Sequence, residues 1–258
     1  MNPALPPEFL DRPLTHRGLH DRSKGVIENS AGAVRAAVAH GYGIEIDVQL
    51  TSDGAAMVFH DERLDRLTGE SGPIRGWAAR DLVNLTLTGS SETVPTLPEV
   101  LEIVGGRVPL LIELKDQSGG TGSAPDELER AVAKALEGYE GLVAVMSFNP
   151  HMVANMAKRA PSVPRGIVTD GYTETEWPDL SPDTLQALRE IGAFDAVGAS
   201  FISHNWEDLA APRVAELKAR GVPILCWTVK SAEDEAQARR VADNITFEGY
   251  TPTPRAKD

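Results

Sequence analysis

The sequence predicts a parallel (β/α)8 barrel, or TIM barrel, on two observations. Short apolar or β-branched segments alternate along the 258 residues with longer stretches that have the periodicity of amphipathic helices. Eight such segments occur, and eight parallel strands joined by right-handed crossovers close a barrel with helices outside. We find no internal repeat or second domain, and we expect a single barrel domain over residues 1–258.

The predicted strands and helices follow one another in regular order. The strands span residues 13–18, 43–48, 108–115, 142–148, 165–170, 194–201, 222–229 and 244–247. The helices span residues 29–41, 96–105, 124–138, 149–160, 181–192, 205–221 and 231–242. Residues that favour helix N-caps precede several of them, namely Asn29 or Ser30, Thr96, Ser181 and Ser231. Glycines that favour helix ends are Gly41, Gly138, Gly192 and Gly221.

The alternation is interrupted once, by an insertion at about residues 50–95 between the second strand and its helix. It begins with a β-hairpin and continues as a polar stretch that contains glycine. In barrels of this type the loops after the strands carry the chemistry. A two-residue turn at Asp53 and Gly54 would place His60 opposite Asp47, with Cβ atoms roughly 5 Å apart.

Composition and charge limit the classes of function. The net charge of −13 argues against nucleic acid and against an anionic membrane surface, because clustered Lys and Arg hold phosphate backbones. No apolar run approaches the roughly 20 residues of a membrane span, and the N-terminus does not resemble a signal peptide. The single cysteine, Cys226, lies in an apolar segment, where we expect a buried thiol. These features favour a cytoplasmic protein, and small anions remain candidate ligands.

Acidic residues cluster at the ends of two predicted strands. Alternate residues of a barrel strand face inward, so Glu45 and Asp47 point into the barrel mouth, and Glu113 ends the next strand. Three converging carboxylates repel one another and raise each other's pKa values unless a cation neutralises them. Oxygen ligands favour a hard divalent cation, and we expect one ion, Mg²⁺ or Ca²⁺.

Two basic residues and two histidines flank the expected metal site. Arg17 and Lys115 bring the charge of the loaded pocket to +1, which suits a phosphate diester. His16 and His60, with ordinary pKa values near ~6.5, can act as a general base and a general acid. The sequence does not say which histidine takes which role first.

Each of these signals also has a simpler interpretation. Taken alone, the Glu-x-Asp pair is more typical of a solvated strand end than of a metal site, and His60 is consistent with a hydrogen-bonded core residue. Lys115 and Glu113 could form only an ion pair. Their joint placement at predicted strand ends favours a functional site.

The ordered motifs resemble those of glycerophosphodiester phosphodiesterases. They are HRG (16–18), ENS (28–30), EIDVQLTSDG (45–54), VFHD (58–61), LDRLTG (64–69), ELK (113–115), SF (147–148) and WTV (227–229). The resemblance runs from His16 to about Pro252 and implies a TIM barrel that hydrolyses glycerophosphodiesters to glycerol 3-phosphate and an alcohol. It also implies a divalent cation and a cyclic phosphate formed by attack of the neighbouring glycerol hydroxyl.

The resemblance assigns roles to individual positions. Glu45, Asp47 and Glu113 match metal ligands, His16 and His60 match the acid/base pair, and Arg17 and Lys115 match cations near the phosphate. The chain departs from the family at residues 245–252, where Phe247 and Glu248 replace the usual Asp region.

The roles of several other residues stay open at this point. Phe148 and Trp227 either line the pocket against the glycerol carbons or pack in the core. Glu28 either supports the site or favours a helix N-terminus. His204 is a candidate substrate contact, and Glu248 is either a pocket residue or a solvated glutamate.

Two rival functions share these motifs. The first is a lysophospholipase D that acts on lipid-like substrates. An apolar lid would favour this function, but the insertion is largely polar. A binding protein that kept the pocket without catalysis is the alternative outside enzymes, and the filling of all seven matched positions argues against it.

Overall fold

The computed structural model describes residues 2–252, and these form the closed barrel that the sequence predicts. The strands are β1 (Leu14–Thr15), β2 (Gly43–Leu50), β3 (Ala56–Val58), β4 (Leu110–Leu114), β5 (Val143–Ser147), β6 (Arg165–Thr169), β7 (Phe201–Asn205), β8 (Ile224–Val229) and β9 (Asn244–Phe247). Eight of them are parallel neighbours in the order β1-β2-β4-β5-β6-β7-β8-β9, and β1 also pairs with β9, which closes the barrel. The remaining strand, β3, is the antiparallel arm of the hairpin after β2.

The helices of the described residues surround this barrel or lie in its connections. They are α1 (Glu8–Asp11), α2 (Ala31–His40), α3 (Ala79–Leu82), α4 (Leu97–Val104), α5 (Glu127–Ala135), α6 (Pro150–Arg159), α7 (Pro182–Arg189), α8 (Pro212–Ala219) and α9 (Ala232–Ala238). Short 3-10 turns occur at Arg22–Lys24, Leu64–Arg66, Ile74–Gly76 and Trp206–Asp208. Within residues 2–252 no helix is both long enough and apolar enough to cross a bilayer.

The predicted helix caps are present, and one alternative is resolved. Ser30, not Asn29, caps α2 by accepting a hydrogen bond from the Ala33 N–H. Thr96 and Glu99 form a reciprocal capping box at the start of α4. Asn29 instead has a left-handed backbone with φ of 56° and turns its side chain toward the barrel mouth.

The strand predicted at 194–201 is wrong in its position, because β7 starts where that segment ends. Residues 194–198 form successive turns, with the Val197 N–H donating to the Ala193 carbonyl and the Gly198 N–H to the Asp195 carbonyl. Phe194 is buried because it packs in the layer outside the barrel, not because it lies in a strand. The apolar composition therefore reflects a buried turn.

The hairpin register also differs from the prediction by one residue. Val48 pairs with Val58, and the Asp47 carbonyl accepts a hydrogen bond from the Phe59 N–H. The loop has three residues, closed by the Thr51 N–H on the Ala55 carbonyl, instead of two. Gly54 takes the left-handed conformation that such loops require. His60 therefore lies one residue beyond the position opposite Asp47.

Alternation along β2 separates the core from the site. Ile44, Ile46 and Val48 are fully buried against α2 and α4, and Glu45 and Asp47 between them face the barrel interior, as predicted. The insertion has its own apolar cluster beside the hairpin. Its members are Ile27, Met57, Phe59, Leu64, Leu67, Ile74, Leu82, Leu87 and Val94. This cluster packs the insertion against the hairpin, next to the barrel mouth.

Close packing inside the barrel gives a stability prediction at Gly166 of β6. A Cβ there would lie 2.3 Å from the ring of Phe201, which is fully buried, so the ring or the backbone would have to shift. We expect Gly166→Ala to lower the free energy of unfolding by about 1–3 kcal/mol in urea titrations. Gly69→Ala is the matched control, because nothing lies within 4 Å of its added Cβ. A Gly166→Ala variant as stable as this control would contradict the packing described.

Candidate active site

Three buried carboxylates meet at the carboxyl ends of two adjacent strands. Glu45 and Asp47 lie on β2 and Glu113 lies on β4, where Asp47 and Glu113 are direct register partners. One carboxylate oxygen of each residue lies within 4.8 Å of one from each of the others. All three side chains are buried, with Asp47 only 1% exposed. The sequence prediction that these residues converge is confirmed.

Burial and mutual repulsion make this arrangement costly without a cation. Burial, with the charges of Asp47 and Glu113, raises the pKa of Glu45 well above its usual range. The pKa of Glu113 is raised as well, chiefly by burial. Burial would also raise the pKa of Asp47, but Lys115 and His60 outweigh it and lower that pKa. A buried set of oxygen donors with excess negative charge fits one hard divalent cation.

Two basic residues, Lys115 and Arg17, hold the acidic cluster in place. Lys115 Nζ donates to Glu113 Oε1 at 2.7 Å and to Asp47 Oδ1 at 3.2 Å. Arg17 Nε lies 3.3 Å from Asp47 Oδ2, and the Arg17 backbone N–H donates to Glu45 Oε2 at 2.9 Å. The backbone of Arg17 is left-handed, with φ of 55°, which allows this one residue to contact both strand β2 acids.

Asn29 completes the support of Asp47 in a way that the sequence did not reveal. Its side-chain amide donates to Asp47 Oδ2 at 2.9 Å, and its side-chain oxygen accepts the Asp47 backbone N–H at 3.2 Å. Through these two hydrogen bonds, Asn29 ties the carboxylate of Asp47 to the Asp47 backbone and so fixes its orientation. The ENS motif was the available signal, but the sequence placed Asn29 only as a candidate helix cap.

Both predicted histidines line the same cavity, and each contacts a carboxylate through Nδ1. His16 Nδ1 lies 2.7 Å from Glu248 Oε2, and His60 Nδ1 lies 2.8 Å from Asp61 Oδ1. An ionised carboxylate only accepts hydrogen bonds, so Nδ1 of each ring carries the proton. Burial lowers the pKa of His16 and the pKa of His60, and a ring in its neutral form would then have a free lone pair on Nε2.

The carboxylate of Asp61 belongs to a network that the insertion provides. Arg66 donates two hydrogen bonds to Asp61 and two to Glu28, all at 2.7–2.8 Å. Glu28 also accepts from Arg17 Nη1 at 2.6 Å, so Arg66 and Arg17 together lower its pKa to about 2 against the effect of burial. Glu28 therefore supports the site by hydrogen bonds, which decides between its two sequence-based roles.

The cavity between these groups is small and has an aromatic wall. Its volume is about 100 Å³, and Phe148 and Trp227 line it beside the charged residues. Their rings meet edge to face at 5.5 Å, and the Trp227 indole N–H donates to the Ser203 carbonyl at 3.0 Å. Each aromatic residue thus packs in the barrel interior and also faces the cavity. A larger cavity of about 350 Å³ adjoins it and shares Glu113, Lys115 and Phe148.

His204 lies outside this site. It is 2% exposed on β7, with Nδ1 at 2.7 Å from Thr169 Oγ1 and Nε2 near Asp208. Its hydrogen-bonding atoms are directed to the end of β6 and to the turn after β7 rather than to the cavity. Burial lowers the pKa of this histidine, in agreement with a structural role.

The strand order and the surrounding helices define a TIM barrel, and the groups at its mouth fit an enzyme that acts on phosphate diesters. Residues 16–244 match the model of the Glycerophosphoryl diester phosphodiesterase family, and the chain belongs to this family.

Individual relatives agree with this assignment. The chain is 30% identical over 231 residues to the glycerophosphodiester phosphodiesterase of Caldanaerobacter subterraneus subsp. tengcongensis, covering 86% of each chain. A phosphodiesterase from Oleispira antarctica, solved with the product sn-glycerol-3-phosphate, superposes with a TM-score of 0.76 at 22% identity over 93% of each chain. The glycerophosphodiester phosphodiesterase of Thermotoga maritima gives a TM-score of 0.68 at 23% identity, over 91% of this chain and 92% of that one. These two structures show that the fold is shared.

Proposed function

We propose that the chain hydrolyses glycerophosphodiesters to sn-glycerol 3-phosphate and an alcohol with one bound divalent cation, Mg²⁺ or Ca²⁺. The observation that carries the proposal is the meeting of three buried carboxylates with two imidazoles in one cavity. Family membership and the product bound to the Oleispira antarctica relative support the substrate class.

Charge in the pocket favours a phosphate diester over a more highly charged anion. Glu45, Asp47 and Glu113 would hold the cation, which leaves one negative charge uncompensated. Arg17 and Lys115 then give the loaded pocket a charge of +1, which matches a singly charged diester. When bound, the cation would supply charge stabilisation at the phosphoryl oxygens.

The two histidines divide the proton transfers. One neutral imidazole takes the proton of the glycerol hydroxyl next to the phosphate as its oxygen bonds to phosphorus. The other, protonated, gives a proton to the departing alkoxide, and a cyclic phosphate remains. Water then opens the ring with the two roles exchanged. Arg17 and Lys115 orient the phosphoryl group and stabilise the charge that builds on its oxygens.

The two adjoining cavities suit the two halves of the substrate. The small cavity, with Phe148 and Trp227 against the glycerol carbons, would hold the glycerol phosphate. The larger cavity, reached past Lys115, would hold the alcohol group. Its volume of about 350 Å³ suits a small head group.

The proposal is tested by turnover of glycerophosphodiesters. Purified protein is incubated with glycerophosphocholine, glycerophosphoethanolamine and glycerophosphoglycerol, each with Mg²⁺ or Ca²⁺, and glycerol 3-phosphate is detected by a coupled enzyme. We expect metal-dependent release of glycerol 3-phosphate and its loss with a chelator. Binding of a diester without turnover of any would favour the non-catalytic alternative. Faster turnover of lysophospholipids than of any water-soluble diester would favour the lysophospholipase D alternative.

A further inference from the structure

Glu248 lies directly after β9, in the segment 245–252 where the chain departs from the sequence pattern of the family. Its backbone N–H donates to the Val229 carbonyl at 3.0 Å, which fixes the residue against the end of β8. One carboxylate oxygen, Oε2, lies 2.7 Å from His16 Nδ1 and 3.5 Å from His20 Nε2. The other, Oε1, lies 2.9 Å from Lys230 Nζ. The side chain is 22% exposed, so it is not a freely solvated glutamate.

The surroundings of Glu248 keep its carboxylate ionised. The hydrogen bond from His16, aided by His20 and Lys230, holds the pKa of Glu248 far below its usual range. His20 Nε2 is buried with no hydrogen-bond partner, and Glu248 is the acid that it faces. An ionised carboxylate at this distance accepts the Nδ1–H of His16 and fixes the ring and its tautomer.

The two histidines of the site are thereby held by separate carboxylates. Asp61 contacts His60 from the hairpin side and is anchored by Arg66 of the insertion. Glu248 contacts His16 from the opposite end of the chain, 232 residues away in sequence. No residue of the insertion is needed on the His16 side.

We propose that Glu248 is a positioning residue for His16, which holds the imidazole so that Nε2 is available to the substrate. This inference rests on the proposed function, in which His16 transfers a proton. Glu248 does not touch the reacting atoms in this arrangement. It acts by selecting one tautomer and one orientation of a ring that would otherwise rotate.

The kinetic test compares Glu248→Ala and Glu248→Gln with the wild-type enzyme and with Glu207→Gln. Glu207 is an exposed glutamate in the turn after β7 and makes no side-chain contact with the site residues. We expect Glu248→Ala to lower kcat by roughly 10- to 100-fold with KM within about 3-fold, a smaller loss than removal of the imidazole. Glu248→Gln should lose less than Glu248→Ala, because its amide oxygen can still accept the Nδ1–H of His16. Glu207→Gln should match the wild type. A kcat within 2-fold of wild type in Glu248→Ala would overturn the inference.

An NMR measurement separates positioning from general destabilisation. In the metal-free protein with ¹⁵N-labelled histidine, we expect His16 to show the Nδ1–H tautomer, assigned by its loss in His16→Ala. Glu248→Ala should shift His16 toward the Nε2–H tautomer, while the His60 signals stay unchanged. An unaltered His16 tautomer in this folded variant would overturn the inference. If the wild type turned over no diester but the tautomer shifted, the proposed function would fail and the positioning would stand.

Discussion

Replacement of His16 or His60 by alanine is expected to lower kcat by about 10²- to 10⁴-fold, the usual contribution of a positioned acid or base. Both rings line the small cavity and both carry their proton on Nδ1, so each is equipped to exchange a proton through Nε2. The expected loss falls on kcat because, in the proposed mechanism, the proton transfers occur in the transition state, whereas Arg17 and Lys115 would still bind the phosphate. Steady-state rates with glycerophosphocholine and saturating cation give the measurement.

A loss of kcat in His16→Ala or His60→Ala reports on catalysis only if the variant is as well folded as the wild type. The side chains of His16 and His60 are 16% and 31% exposed and lie outside the apolar core clusters, so alanine at either position should leave the barrel core intact. His151→Ala is the matched control, because His151 is exposed at the start of α6 and lies outside the site. Circular dichroism should show the same melting temperature within a few degrees for all three. Unchanged kcat in the His16 and His60 variants would remove both residues from the mechanism.

Neutralising Glu45 is expected to stabilise the metal-free protein and to abolish its stabilisation by metal. Burial and the charges of Asp47 and Glu113 raise the pKa of Glu45 in the folded chain. When the pKa of a carboxyl group is higher in the folded chain than in the unfolded chain, the folded chain binds the proton more tightly. Keeping that carboxyl ionised at neutral pH therefore disfavours folding. Glu45→Gln removes this charge and keeps an oxygen that can accept the Arg17 N–H. Active sites commonly carry such a stability cost.

The measurement is thermal unfolding at pH 7 with and without Ca²⁺ or Mg²⁺. Each 1 kcal/mol gained by Glu45→Gln should raise Tm by about 2–4 °C in the metal-free protein. Metal at 100 times Kd should stabilise the wild type by about 2.7 kcal/mol, and the variant not at all at that concentration. Glu207→Gln serves again as the control, with wild-type behaviour in both conditions. A metal-dependent rise in Tm retained in Glu45→Gln would contradict its assignment as a ligand.

The residues that converge within the barrel were predictable because strand geometry is regular. Side chains alternate with a period of two, so Ile44, Glu45, Ile46 and Asp47 had to face opposite sides of β2. Neighbouring parallel strands end at the same edge, which brings Glu113 beside Asp47. Local hydrogen bonding by serine and threonine likewise identified the helix start at Thr96, and it narrowed the start of α2 to Asn29 or Ser30, of which Ser30 is the cap.

The partners of these residues were not predictable, because they depend on loops. The hairpin sequence does not decide between a two- and a three-residue turn, and one residue of loop moves His60 relative to Asp47. Glu248 reaches His16 from the far end of the chain, and its contact depends on how β9 closes the barrel. Arg66 reaches Glu28 and Asp61 only through the fold of the insertion. Sequence patterns carry no measure of these distances.

The most direct test of the account is a crystal structure of the wild-type enzyme with Mn²⁺ and sn-glycerol 3-phosphate. An anomalous difference map locates the metal. One metal peak should lie about 2.0–2.6 Å from an oxygen of each of the three site acids on β2 and β4. The phosphate should bind that ion, with the Nε2 atoms of the two histidines on either side of it. A phosphate held elsewhere, or a metal peak that those acids do not contact, would contradict the account.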